Sequence, residues 1–231
     1  MRILGLIPAR GGSKGIPAKN SKMLGDKPLM AYTAAAAQEA QMLTDVVFSS
    51  EDEQLMDMAK GLGLWVPFKR PKELATDQSG SLEVVNHALD TLASQGYHYD
   101  AVCLLQLTTP FRTSTQIDSA VKKYIDDGAD SLISVIEVPH QYNPHWVFMP
   151  TEKGLRIATG DSKIIKRRQE LPPCYVRDGA IYITANTVLQ DSNSFYGEAL
   201  SYVVHPSESA INLDTLEDWE RAEQWLKASE A

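Results

Sequence analysis

Very little in these 231 residues supports chemistry built on sulfur, zinc or a membrane. The two cysteines, Cys103 in an apolar strand-like run and Cys174 after Pro172-Pro173, match no metal or redox spacing, so both are expected to be reduced and structural. The five histidines are scattered, and His140 and His145 do not form a helical metal motif, so a zinc site is not expected. No apolar run approaches the ~20 residues of a spanning helix. The stretch after Arg2 ends at Pro8, too short for the core of a signal peptide, and a cytoplasmic location without a membrane partner is the expectation. Positive charge is scarce: 22 Lys and Arg stand against 30 Asp and Glu, a net charge of −8. No broad basic face is available for a phosphate track, which excludes nucleic acid as a partner. A Gly-Lys-Ser/Thr phosphate loop, internal repeats and low-complexity tracts are also missing.

What positive charge there is gathers at the start. Met1 to Lys27 hold six basic residues against Asp26 alone, centred on Pro8-Ala9-Arg10-Gly11-Gly12-Ser13-Lys14-Gly15-Ile16-Pro17-Ala18-Lys19-Asn20. Glycines allow backbone N–H groups to approach an anion closely, and Arg10, Lys14 and Lys19 add charges that suit a phosphate chain. A solvated basic turn is the alternative. Downstream, strand and helix character alternate: strands at 2–7, 45–50, 64–68, 100–107 and 131–138, helices at 28–42, 52–62, 81–94 and 115–127. Alternation of this kind predicts an α/β fold, a doubly wound, mostly parallel sheet with its ligand edge at the carboxyl ends of the strands, where the opening loop lies. Strand character returns at 180–184 and 201–204, and a helix at 216–228 is expected to bury Leu216, Trp219, Ala222 and Leu226.

Between 139 and 173 the alternation breaks at Pro139, Pro144, Pro150, Pro172 and Pro173. This segment reads either as an arm inserted in a core of 1–138 and 174–231, burying Trp146-Val147-Phe148-Met149 against a second subunit, or as a long loop on its own domain. It ends in a second cationic group, Lys163, Lys166, Arg167 and Arg168, followed by Gln169. After the central strand, Gln106, Thr108, Thr109 and Arg112 emerge together at the ligand edge, with Thr113 and Gln116 spaced as a capping box. In Ile211-Asn212-Leu213-Asp214, period-two geometry puts Asn212 and Asp214 on one face, a sparse pair for Mg2+; Asp214 with Glu217 also reads as a helix cap.

Several of these segments in order resemble the acylneuraminate cytidylyltransferases, the CMP-sialic acid synthetase family. The likeness rests on Ile7-Pro8-Ala9-Arg10-Gly11-Gly12-Ser13-Lys14-Gly15 with Lys19-Asn20, on Arg70-Pro71-Lys72-Glu73-Leu74-Ala75, on Leu105-Gln106-Leu107-Thr108-Thr109-Pro110-Phe111-Arg112, and on Arg168-Gln169 with Gly179-Ala180-Ile181-Tyr182. It spans about Ile3 to Trp225. The resemblance implies a Rossmann-like nucleotidyltransferase with a projecting dimerisation arm, acting on CTP and an acidic sugar with Mg2+ as a homodimer. It implies Arg10, Gly11, Gly12, Ser13, Lys14 and Lys19 at the triphosphate, and Asn20, Arg70 and Ser81 around cytidine. Gln106, Thr108, Arg168, Gln169, Asp178 and Tyr182 fall on the sugar acid, and Asp214 with Asn212 on the metal. Three departures stand out: Asn212 where the family commonly has Asp, Ser49-Ser50-Glu51 for Ser-Thr-Asp, and Asp178 for Asn. An eight-carbon ulosonate as acceptor, or a nucleotide-binding regulator that has lost turnover, are the alternatives.

Overall fold

The first apolar run forms β1 (Ile3–Pro8), with Ile3 and Ile7 buried in one layer and Leu4 and Leu6 in another. A strand covered on both faces belongs in the middle of a sheet. The computed structural model describes residues 1–12, 15–76 and 78–229. After β1 comes a short hairpin, β2 (Met23–Leu24) and β3 (Lys27–Pro28), then α1 (Leu29–Glu39), β4 (Asp45–Ser49) and α2 (Glu53–Gly61). α3 (Ser81–Ser94), β5 (Ala101–Leu104), α4 (Ser114–Asp126) and β6 (Ser131–Glu137) follow. A second hairpin, β7 (Phe148–Thr151) and β8 (Gly154–Ile157), precedes β9 (Tyr175–Ala185), α5 (Asn186–Ser192), β10 (Leu200–Val204) and α6 (Leu216–Ser229).

Six strands make the main sheet in the order β10-β6-β9-β5-β1-β4. β9 runs antiparallel to both neighbours and the other pairings are parallel. On one face α1, α2 and α4 bury Met30, Ala37, Leu55, Ile117 and Tyr124 against Ile3, Ile7 and Cys103. On the other, α3 and α5 bury Val85, Leu89, Leu92 and Leu189 against Leu4, Leu6 and Leu104. Each fully buried Leu, Ile, Val or Met side chain among them contributes about 1.5–3 kcal/mol. The helices start where their caps dictate. The Asp52 side chain accepts from Leu55 N at 3.0 Å, and Thr113 with Gln116 forms the expected capping box.

Three expectations are corrected. The strand foreseen at 64–68 is reduced to one bridge between Val47 and Trp65, since Pro67 has no N–H to continue a ladder. Leu216 is exposed, and the buried face of α6 is Trp219 and Ala222. The α6 cap is Thr215 with Asp218, whose side chains each accept the other's backbone N–H, so Asp214 and Glu217 do not cap it. Trp146 is half-buried inside its own segment, its indole N–H donating to Ile165 O at 2.6 Å. Around it, residues 139–173 leave the sheet between β6 and β9 and carry the β7-β8 hairpin, on which Phe148, Met149 and Leu155 are exposed.

A third apolar cluster sits beneath the opening loop, where Ile16, Leu24, Leu29, Phe111, Ile211, Leu213, Trp219 and Ala222 pack together, with Trp225 stacked on Phe111 at 4.2 Å. It ties three chain segments to one another at the carboxyl ends of β1 and β5.

Candidate active site

A cavity of about 390 Å³ opens at that edge of the sheet. Residues of four separated stretches line it: Pro8, Ala9, Arg10, Gly15, Lys19 and Asn20 from the first, Arg70, Leu74, Ala75, Thr76, Ser79, Gly80, Ser81 and Val84 from the second, Gln106, Leu107 and Thr108 from the third, and Asp214. Because Ile16 and Leu213 are fully buried beneath it, Lys19 and Asp214 are carried to its wall from opposite ends of the sequence. Leu213 N donates to Thr108 O at 2.8 Å and joins the 211–214 segment to the loop after β5. At Gly15 a Cβ would collide with the Asp214 carbonyl, so glycine is what permits the two segments to touch.

Of the predicted residues, Arg10, Lys19, Asn20, Arg70, Ser81, Gln106, Thr108 and Asp214 line this cavity. Lys19 is mostly buried, donating to Leu213 O at 2.6 Å with its ammonium 3.8 Å from Asp214 Oδ1. Burial pulls its pKa below the ordinary lysine value, Asp214 opposes that pull, and Arg10 adds to it. Asn20 is buried and donates to Arg10 O at 3.0 Å, while Arg10 itself donates to Thr76 O at 3.2 Å. Asp214 Oδ2 accepts from the Asn212 amide at 2.5 Å, and both side chains are exposed while Ile211 and Leu213 point inward, as the alternation predicts. Among the described residues no group of three or more His, Cys, Asp or Glu side chains could hold a metal.

The remaining predicted residues lie elsewhere. Gly11 and Gly12 are in the loop beside the cavity, and Ser13 and Lys14 lie outside the described residues. Arg168 and Gln169 are exposed in a one-turn helix, Arg168–Glu170, and do not line the cavity of their own chain. Tyr182 is buried in the second core with Leu189 and Phe195 around it. Asp178 is also buried, in a bulge of β9 where residues 178–181 face Ser134 alone. Its carboxylate accepts from Ser134 Oγ at 2.5 Å and Ala180 N at 2.9 Å and lies 2.7 Å from His205 Nδ1. Burial pushes the Asp178 pKa up, and the hydrogen bonds from His205, Ser134 and Ala180 outweigh it and hold the carboxyl below its usual range.

Arg112, expected at the ligand edge, is instead an internal tie. It is buried and donates to Ala180 O, Thr33 Oγ1, Thr109 Oγ1 and Gln106 O, joining the β5 loop to α1 and β9. Loss of water lowers its pKa to about 10, with the Cys103 thiol and Asp178 pulling the other way. The early cationic cluster also divides. Lys22 lies over the Trp219 ring and Lys27 over Tyr32, while Arg2 pairs with Asp45 at the far end of β1. Two residues that motif reading did not place belong to the site's frame. Glu51 binds Gly11 N and Arg70, and Thr76 O takes the Arg10 guanidinium. The signal for Glu51 is a carboxylate two residues past the end of β4.

Residues 4–199 match a protein-family model described as cytidylyltransferase. The chain is 33% identical to a CMP-N,N'-diacetyllegionaminic acid synthase of Legionella pneumophila over 231 residues, covering all of this chain and 98% of that protein. It is 34% identical to an N-acylneuraminate cytidylyltransferase of Escherichia coli over 222 residues, 96% of this chain and 51% of the relative. Among solved structures, CMP:2-keto-3-deoxy-manno-octonic acid synthetase complexed with CTP superposes with a TM-score of 0.72 at 15% identity, covering both chains fully, a likeness of fold. With most of its length matched by that model and a full-length relative at one-third identity, the chain belongs to the cytidylyltransferase family.

Proposed function

We propose that the protein couples CTP to a sialic-acid-like 2-keto sugar acid, an N-acylneuraminate or related nonulosonate, giving the CMP-sugar and pyrophosphate. The observation that carries this reading is a single cavity lined by Arg10, Lys19, Asn20, Arg70, Ser81, Gln106, Thr108 and Asp214, drawn from four separated stretches of the chain. The family membership and the names of the full-length relatives support the choice of CTP and of a nonulosonate.

In this reading the anomeric hydroxyl of the sugar acid attacks the α-phosphorus of CTP. The new P–O bond forms as the bond to the β-phosphate breaks, pyrophosphate departs, and the hydroxyl proton passes to solvent. Arg10, Lys14 and Lys19 hold the phosphates and stabilise the charge that builds on the leaving group. Asn20, Arg70 and Ser81 surround the cytidine. Gln106 and Thr108 orient the acceptor so that its hydroxyl lies in line, which turns an encounter into a near-unimolecular step. Asp178 and Tyr182, engaged behind the Gln106–Thr109 loop and in the second core, act by holding that wall. Asp214 would hold Mg2+ with Asn212 fixing its carboxylate; one carboxylate among substrate oxygens suits a cation that keeps much of its shell as water. Magnesium, when bound, supplies charge neutralisation at the transferring phosphate.

Arg168 and Gln169 enter such a site only from a second subunit. The 139–173 segment is accordingly the dimerisation arm of a core made of 1–138 and 174–231, its exposed Phe148, Met149 and Leu155 covered in a homodimer. The free cysteines fit a cytoplasmic enzyme: burial raises the Cys103 thiol to about 12 and keeps it inert. Pyrophosphate release from CTP and Mg2+ with N-acetylneuraminate, legionaminate and pseudaminate derivatives tests the reading. Release with at least one of them is expected, and silence with all at high enzyme concentration overturns it.

A further inference from the structure

We infer that Glu51 is a positioning residue for the nucleotide site, an internal anion that holds the glycine-rich loop and Arg70 in one arrangement. The inference rests on the cytidylyltransferase reading. Glu51 Oε1 accepts from Gly11 N and Oε2 from Arg70 Nη2, each at 2.8 Å. The pair is withdrawn from water, with side-chain exposures of 14% for Glu51 and 3% for Arg70. Arg70 Nη2 also donates to Ala9 O at 2.6 Å, and Arg70 N donates to Ser50 O at 2.9 Å. The carboxylate thus stands at the junction of three segments: the end of β1, the start of α2 and the strand-like return before residue 72. Its place just ahead of α2 puts the negative charge where the helix N-terminus favours it. Glycine is required at 11 for the same reason, because a Cβ there would run into the Asp52 side chain that caps α2.

Two consequences follow for nucleotide binding. The Gly11 N–H is taken by Glu51, so phosphate contacts fall to the rest of the loop with Arg10 and Lys19. Arg70 is held by one arm of its fork, and its buried Nε–H has no partner among the described residues. A buried donor left unmade is unfavourable, so the bonds to Glu51 and Ala9 O are what hold the Arg70 guanidinium at the cavity it lines. Glu51 therefore orients Arg70 for the ligand without touching the ligand itself.

The test is calorimetry with CTP, steady-state kinetics and thermal melting on wild type, Glu51→Gln, Arg70→Met and the double variant. Glu51→Gln is expected to raise Kd and KM for CTP about 10- to 100-fold, with KM for the sugar acid unchanged within about twofold. The double variant is expected to bind CTP no more weakly than Arg70→Met alone, since the amide oxygen of Glu51→Gln still accepts from Gly11 N–H and only the tie to Arg70 is lost. A merely structural role predicts instead that both KM values rise and that the two losses add. CTP affinity in folded Glu51→Gln within about twofold of wild type, or losses that add, overturns the inference. Amide exchange in the wild-type protein gives a reading independent of any variant: Gly11 N–H is expected to be protected with and without CTP, and fast exchange in both overturns the inference. Wild type that binds no CTP brings down the cytidylyltransferase reading and this inference with it, whereas the other failures sink the inference alone.

Discussion

Replacing Lys19 by Met removes a charge while keeping most of the side chain's length, and the structure sets how much that should matter. The ammonium has three donors, of which one is spent on Leu213 O at 2.6 Å, and Asp214 Oδ1 lies 3.8 Å away, too far for a strong bond. The remaining donors, on a side chain that lines the cavity, are available to a phosphate. A charge-assisted hydrogen bond contributes about 1.5–3 kcal/mol, and a unit charge 4 Å from a phosphate oxygen at an effective dielectric of 20 about 4 kcal/mol as a ceiling. Taking 2–3 kcal/mol as the net, affinity for CTP falls about 30- to 150-fold at 25 °C. Affinity for CMP, which lacks the two outer phosphates, falls far less. Calorimetric titration of both nucleotides into wild type and Lys19→Met, at matched ionic strength, gives the two ratios directly. The depressed pKa of Lys19 adds a second signature. Binding of a polyanion raises that pKa back toward the ordinary value, so wild type takes up protons on binding CTP in the alkaline range and the variant takes up fewer. Equal losses for CTP and CMP, or a folded variant with wild-type CTP affinity, refute the assignment of Lys19 to the phosphates.

Asn212→Asp places a second carboxylate beside Asp214 and is expected to lower the Mg2+ concentration needed for half-maximal activity about tenfold; a metal titration checks it, and an unchanged midpoint removes the pair from the metal site. Leu155 is 72% exposed in the single chain, so Leu155→Asp should leave the melting temperature nearly unchanged yet halve the mass seen by light scattering and reduce turnover, because Arg168 then loses its partner's site. A variant that stays dimeric refutes the arm's role. Asp178 has a depressed folded pKa, so its contribution is complete above its unfolded value near 3.9 and is lost as pH falls through the lower folded one. Asp178→Asn is therefore expected to be less stable than wild type by about 1.5–3 kcal/mol at pH 7, with the gap closing below about pH 4; denaturant melts across that range decide it, and a gap independent of pH refutes the ionised network.

Most of the sheet could be read from the chain because its signals are local. Ile3 to Ile7 and Ala101 to Leu104 are apolar at successive positions, and only a strand buried on both faces uses such a run. Ser81–Ser94 and Ser114–Asp126 begin at hydroxyls and carry one apolar stripe each, so their bounds were nearly legible. The loop residues Arg10, Lys19 and Gln106 were legible for a different reason: strand order in an alternating chain brings the carboxyl ends of β1 and β5 side by side whatever the loops contain. What local pattern could not reveal was which polar groups would be turned inward. Arg112 and Asp178 look like ligand-edge residues until the bulge opposite Ser134 swings Gly179 against Thr109, and then both are enclosed and must satisfy each other's surroundings. Glu51 is the same problem in reverse. Its partners are 40 and 19 positions away, and no spacing rule links a carboxylate after β4 to a glycine after β1. A charge that ends up bonded inside the frame differs in sequence from one that meets substrate by nothing at all. For that reason Glu51 and Asp178 are better interpreted by their buried partners than by their place in the sequence.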